Sequence, residues 1–157
     1  MKKQWLQTVR KTENAFFAII FSARKRVGNR GRLLPERFQS IAQIRRFLQQ
    51  SMTPCLANRV IKNLDLRRIN GRLAIPVGDT IGAPPIVKSQ VLAQGKSHVT
   101  LAVWFAFDRS DRFFRVYQLR KKPDGRWIVT GRHPLDYPFS LPGREKSPLA
   151  GCCRRCY

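Results

Sequence analysis

The stretch that decides the fold is HVTLAVWFAFD, at residues 98–108. Apolar side chains occupy every odd position from 99 to 107, and the residues between them carry no charge. A repeat of two residues is typical of a β-strand, and uncharged side chains on both faces indicate the centre of a sheet. We therefore predict a central strand that is covered by helices on one side and partly enclosed on the other.

Shorter segments with the same repeat lie on both sides of this strand. They are residues 72–77, 86–93, 112–121 and 126–132. Asn70-Gly71 is a turn dipeptide, and Pro123-Asp124-Gly125 has proline and Asp-Gly where a turn favours them. Because short turns rather than long crossovers join the last four strands, we predict an antiparallel sheet.

The first part of the chain has the repeat of helices instead. Residues 1–27 carry apolar side chains at mostly three- or four-residue intervals, as in an amphipathic helix. This predicted face consists of Trp5, Val9, Phe16, Ile20, Ala23 and Val27. Ser40 and Gln43 have the spacing of a capping box, and Thr53-Pro54 has the residues of a second helix start. The segment between the first two helices, residues 28–32, is predicted to be a loop.

These elements predict an α+β protein in which N-terminal helices pack on a curved antiparallel β-sheet. With Phe-Leu-x4-Thr-Pro at residues 47–54, Gly-Arg-Leu-Ala-Ile-Pro at 71–76 and the closing strand Asp-Gly-Arg-Trp-Ile-Val at 124–129, the chain resembles the NTF2-like superfamily of cone-shaped domains, including small bacterial proteins. The resemblance covers about residues 1–140. We predict one domain over residues 1–141, followed by a flexible, basic, Cys-rich tail at 142–157.

The resemblance implies a pocket in the mouth of the cone, and some members of the superfamily are isomerases, cyclases or dehydratases. It also implies that a homodimer could form through the outer sheet face. The expected pocket residues are Trp104, Tyr117 and Trp127, with a small apolar ligand. Asp108, His98 and Tyr117 are the candidates for acid–base catalysis, but fold alone confers no activity. We therefore expect a binding or interaction module rather than an enzyme, with a SnoaL-type or isomerase-type pocket enzyme as one alternative.

The charge of the chain points to a second alternative. Its 157 residues include 31 Lys and Arg against 9 Asp and Glu, giving a net charge of +22. The excess is greatest in residues 1–68, and the densest cluster consists of Arg24, Lys25, Arg26, Arg30 and Arg32. Secondary clusters are Arg67-Arg68 and Arg120-Lys121-Lys122. Such clusters favour nucleic acid or another polyanion through phosphate contacts, although a GC-rich genome also raises the arginine content.

Other functional classes lack sequence support. No phosphate-binding loop, dinucleotide fingerprint, zinc-peptidase motif or nucleophile elbow is present. Cys152, Cys153 and Cys156 crowd the C-terminus, away from Cys55, so neither a disulfide framework nor a metal site is predicted, and no cofactor is expected. No apolar run approaches the 18 or so residues that span a bilayer. We expect a cytoplasmic protein, with a membrane-surface or exported protein as the alternatives.

Overall fold

A computed structural model describes residues 2–29, 31–76 and 82–134. These residues form an α+β structure of three α-helices and two antiparallel four-stranded sheets. The helices are α1 (Lys2–Ser22), α2 (Ile41–Leu48) and α3 (Pro54–Asn63), with a 3-10 turn at Glu36–Phe38. The strands are β1 (Lys25–Val27), β2 (Gly31–Leu33), β3 (Arg67–Ile69), β4 (Arg72–Pro76), β5 (Ile86–Gln94), β6 (His98–Ala106), β7 (Arg112–Lys121) and β8 (Trp127–His133).

The long sheet has the order β5-β6-β7-β8, so each strand is hydrogen-bonded to its neighbour in sequence. The predicted antiparallel meander is confirmed, and β6 lies within the sheet as its repeat indicates. Val99, Leu101, Val103 and Phe105 all point into the core, where each is at most 1% exposed. The opposite side of the sheet is called here the outer face.

The small sheet has the order β1-β2-β4-β3 and was not predicted as a unit. Only β4 was predicted as a strand, and the loop prediction for residues 28–32 is wrong at its end because Gly31 begins β2. Three-residue strands are too short to display a repeat of two. Asn70 and Gly71 have φ values of 51° and 76°, the left-handed pair that a two-residue hairpin turn between β3 and β4 requires.

The helices cover the inner side of the long sheet. The predicted capping box starts α2, since the Gln43 amide donates to Oγ of Ser40 over 3.1 Å and the Ser40 amide donates to Oε1 of Gln43 over 2.9 Å. Pro54 stands at the first turn of α3 as predicted. The connection between α2 and α3 is tied to β8, because the Thr53 amide donates to the Val129 carbonyl over 3.0 Å.

Helix α1 packs with a different face from the predicted one. Trp5, Val9 and Ala23 are buried as expected, whereas Phe16 and Ile20 are only half-buried and Val27 lies in β1. Two polar residues of α1, Thr12 and Glu13, are buried with 1% and 3% exposure. The predicted tail at residues 142–157 lies outside the described residues.

Candidate nucleic-acid interface and buried charge cluster

The small sheet brings together two basic clusters that are remote in sequence. Strands β1 and β2 contribute Lys25, Arg26 and Arg32, and strands β3 and β4 contribute Arg67, Arg68 and Arg72. None of these four strands contains Asp or Glu. We call this unit the arginine sheet, defined by strands β1 to β4.

The register of the arginine sheet divides these six side chains between its two faces. One row of paired residues, here called the rung, runs across all four strands, with Lys25 at one end and Arg67 at the other. Arg72 of β4 lies on the same face of the sheet as this rung. At the usual strand spacing, the two ends of that rung are about 14 Å apart. Arg26, Arg32 and Arg68 lie on the other face.

Arg26 and Arg32 are paired directly across β1 and β2. Like charges in such a pair destabilise a sheet unless an anion compensates them. Arg32 is half-buried, and its Nε has no hydrogen-bond partner among the described residues. This pair adds positive charge on the face opposite to the one that carries Lys25 and Arg67.

A depression of about 390 Å³ lies on the face that carries Lys25, Arg67 and Arg72. Its walls are mostly apolar, and Arg67 contributes the guanidinium group. Arg67 also pairs with Asp65 over 2.9 Å, but both side chains are more than half exposed, and such pairs contribute little stability. A phosphate can therefore replace Asp65 at low cost.

None of the described carboxylates lies within a strand, although Asp65 pairs with Arg67 of β3. The eight described strands carry twelve Lys and Arg residues and no Asp or Glu. In the turns, Asp108 accepts hydrogen bonds from Ser110 and from the Asp111 amide, and Asp124 binds Arg126. The hydrogen bonds hold the pKa of Asp108 below its ordinary value, and those from Arg126 do the same for Asp124. These carboxylates shape turns instead of neutralising the sheets.

One carboxylate is buried inside the molecule, in a group that we call the Glu13 cluster: Glu13, Arg115, Tyr117 and Arg132. Arg132 donates to Oε1 over 2.7 Å and to Oε2 over 3.1 Å, and Arg115 Nη1 donates to Oε2 over 3.0 Å. The Tyr117 hydroxyl donates to Oε1 over 2.7 Å. These bonds connect α1 with β7 and β8 across more than 100 residues of sequence.

Aromatic rings flank both guanidinium groups of this cluster. The Arg115 guanidinium lies 5.2 Å from the Phe113 ring centre, and that of Arg132 lies 5.1 Å from Phe16. Cation–π contacts of this kind strengthen when water is excluded. The cluster therefore stabilises its buried cations with ring faces as well as with Glu13.

The pKa directions follow from this arrangement. Burial raises the pKa of Glu13, but the charges of Arg132 and Arg115 and the hydrogen bonds from Arg132 and Tyr117 outweigh burial, so the pKa lies below its ordinary value. Burial is the main cause that raises the pKa of Tyr117, and the negative charge of Glu13 raises this pKa further. Glu13 is therefore ionised and Tyr117 neutral at pH 7.

This electrostatic state does not suit acid–base catalysis by Glu13. A general base works best with a pKa near the working pH, whereas donors on both oxygens keep the Glu13 proton affinity low. A cavity of about 300 Å³ does reach Glu13, between Arg10 and Asn14 of α1 and the segment Ala83–Ile86. The cluster is thus a structural connection that borders a small cavity.

The structure does not bring the three expected pocket residues together. Trp104 is on the outer face, Tyr117 is fully buried in the Glu13 cluster, and Trp127 packs edge-on against Trp5 at a ring distance of 5.7 Å. His98 begins β6, away from Asp108 at the far end of that strand.

The expected anion-binding residues are brought together in part. Lys25, Arg26 and Arg32 lie in the arginine sheet, Arg24 directly precedes it, and Arg30 lies outside the described residues. Arg67 and Arg68 join them through β3, whereas Arg120 and Lys121 lie on β7 of the other sheet.

Sequence reasoning missed the role of Glu13, which is not among the predicted site residues. Its position four residues after Val9 and four before Phe17 places it on the buried side of α1. Arg115 occupies an inward position of β7 between Phe113 and Tyr117. A carboxylate and an arginine on two apolar faces are a signal that a buried ion pair joins the two elements.

The fold and these sites define an α+β protein with a basic sheet and a buried ion cluster. Neither a protein-family model nor a curated protein matches the chain. Within the described ranges, no helix combines the length and apolar character needed to cross a bilayer, and no three His, Cys, Asp or Glu side chains gather as metal ligands.

Proposed function

We propose that this protein binds nucleic acid through the arginine sheet, and that its affinity comes mainly from contacts with phosphates and not from recognition of the base sequence. The observation that carries the proposal is that two basic clusters, remote in sequence, share one sheet whose strands contain no carboxylate. Phosphate contacts release counterions, so a surface of this kind gains affinity for any nucleic acid. Guanidinium groups also match the geometry of phosphate oxygens.

The face with the depression is the proposed contact surface. Lys25, Arg67 and Arg72 are exposed on it. Arg67 lines the depression, and Lys25 and Arg72 lie on the same face of the sheet. The phosphate backbone of a nucleic acid can therefore lie across this face. Arg26 of β1 and Arg68 of β3 are also exposed, and they add positive charge at the two edge strands of the arginine sheet.

Nucleic acid is a better partner than a lipid surface for this protein. A helix that inserts into an interface must present its apolar face to lipid. In α1 that face is used in the core, where Trp5, Val9, Phe17 and Ile19 are at most 3% exposed. The remaining basic surface favours a soluble polyanion.

Fluorescence anisotropy with a labelled DNA duplex tests the proposal. The first variant carries Lys25→Gln, Arg67→Gln and Arg72→Gln. The matched control removes the same charge at three exposed sites elsewhere, Lys62→Gln, Lys96→Gln and Arg109→Gln. We expect the first variant to lose roughly 500-fold in affinity at 0.1 M salt, because each of the three lost phosphate contacts contributes a slope of about 0.9 to the plot of log affinity against log salt concentration.

The control should lose far less. Equal losses in the two variants would show that net charge alone drives binding and would overturn the assignment to the arginine sheet. Binding to anionic phosphatidylserine vesicles with none to the duplex would overturn the choice of nucleic acid.

We also retain the NTF2-like relationship, as a proposal about ancestry and architecture. Its support is that helices cover one side of a four-stranded antiparallel meander, as in the cone of that superfamily. An experimental structure compared with NTF2-like domains tests it. Superposition of α1 to α3 and β5 to β8 in the same order would support the relationship, and a different strand order would refute it.

A further inference from the structure

The outer face of the long sheet carries a pair of aromatic rings in addition to its positive charge. Trp104 of β6 and Phe114 of β7 are direct cross-strand partners, with ring centres 5.9 Å apart and ring planes inclined by 33°. Phe114 is 54% exposed. These rings point away from the helices, whereas Phe105 and Phe113, their neighbours in sequence, stack on the inner side.

Basic side chains accompany this ring pair. Lys88 of β5 continues the same rung, and its Nζ lies 5.1 Å from the ring centre of Trp104. Arg112 follows on the same face of β7 and is exposed. The four strands of this sheet contain no Asp or Glu. The strands of the outer face therefore combine flat apolar surfaces with positive charge and contain no carboxylate of their own.

We infer that Trp104 and Phe114 form a stacking platform for the bases of an unpaired nucleic-acid strand, with Lys88 and Arg112 contacting its phosphates. This inference rests on the proposed function and narrows its ligand to single-stranded nucleic acid at this face. Bases in a duplex are stacked on each other, so their faces are hidden, whereas unpaired bases stack readily on aromatic side chains. Stacking tolerates any base, as does the phosphate binding proposed for the arginine sheet.

A second copy of the chain is a poorer occupant of this face. In a two-fold dimer the same patch is present on both subunits. Lys88 and Arg112 of one copy would then approach the same cations of the other, with no strand carboxylate in the sheet to compensate them. A polyanion with flat bases complements both features of the face.

The test compares two labelled ligands of equal phosphate number, an oligothymidylate of 15 nucleotides and a DNA hairpin duplex, by fluorescence anisotropy at fixed salt. The main variant is Phe114→Leu, which keeps an apolar side chain but removes the ring. The matched control is Leu92→Ala, which shortens another apolar side chain that is 52% exposed, on the edge strand β5. Phe114→Tyr restores a ring at the first position.

We expect Phe114→Leu to weaken binding of the oligothymidylate by about 5- to 160-fold, the usual range for loss of one base–ring stack. Duplex binding should change less than twofold, and Leu92→Ala and Phe114→Tyr should bind both ligands as the wild type does. Thermal melting of each variant shows that it is folded before binding is measured.

Three results would overturn the inference. The first is unchanged oligothymidylate binding by Phe114→Leu while the triple variant of the arginine sheet loses affinity; the proposed function then stands without the platform. The second is an equal loss for both ligands. The third is a shift from dimer to monomer that Phe114→Leu causes in sedimentation velocity, without any change in its oligothymidylate binding. If the wild type binds neither ligand, the inference and the proposed function fail together.

Discussion

Replacing Glu13 by Gln should destabilise the protein severely, because it removes the carboxylate that holds two buried arginines. Glu13 accepts four hydrogen bonds, two from Arg132 and one each from Arg115 and Tyr117, over 2.7–3.1 Å. Gln has nearly the same shape but no charge, and its amide nitrogen cannot accept from a guanidinium. Arg115 and Arg132 are 0% and 3% exposed, so water cannot replace the lost acceptor.

Removing one partner of a buried ion pair usually costs about 3–5 kcal/mol. For a chain of this size that corresponds to a fall of roughly 6–20 °C in melting temperature. Urea unfolding followed by circular dichroism measures the loss directly. The matched control is Glu36→Gln, at an exposed carboxylate, which should change the free energy of unfolding by less than about 0.5 kcal/mol. A loss below about 1 kcal/mol for Glu13→Gln would refute the account of the cluster.

Three further predictions concern pH and local backbone structure. The pKa of Glu13 in the folded protein lies below its ordinary value of 4.5, so the stabilisation by Glu13 is complete above pH 4.5 and is lost as the pH falls through the folded pKa. In an acid titration, the free energy of unfolding should therefore fall more steeply for the wild type than for Glu13→Gln. Parallel curves for the two proteins would contradict this. Ser40→Ala should cost about 1 kcal/mol in urea unfolding because the Ser40 hydroxyl caps α2, whereas Thr53→Ala should cost clearly less since Thr53 makes no side-chain cap bond in α3; equal losses would contradict the assigned caps. Gly71→Ala should cost about 1 kcal/mol in the same assay, because the φ of 76° disfavours any side chain there, and an unchanged free energy would refute the hairpin geometry.

The long sheet and the helix starts could be predicted from sequence because their signals are local. The alternation in residues 98–108 identified β6, the residues of β7 were predicted without error, and Ser40 with Gln43 identified the start of α2. In each case the signal lies within a few neighbouring residues, either as a repeat of two or as a single capping pair.

The small sheet and the Glu13 cluster could not be predicted in the same way. Strands β1, β2 and β3 have three residues each, so their pairing depends on tertiary contacts that no local repeat records. The partners of Glu13 lie at least 102 residues away in sequence. The basic residues of the arginine sheet were visible as separate clusters, but only the strand order shows that they share a sheet.

The salt dependence of duplex binding tests the central claim most directly. Each phosphate contact contributes a slope of about 0.9 to the plot of log affinity against log salt concentration. The account predicts that replacing Lys25, Arg67 and Arg72 by Gln lowers the magnitude of that slope by about 2–3, while the control at Lys62, Lys96 and Arg109 leaves it nearly unchanged. Equal slopes for the two variants, or a wild-type affinity that does not respond to salt, would contradict it.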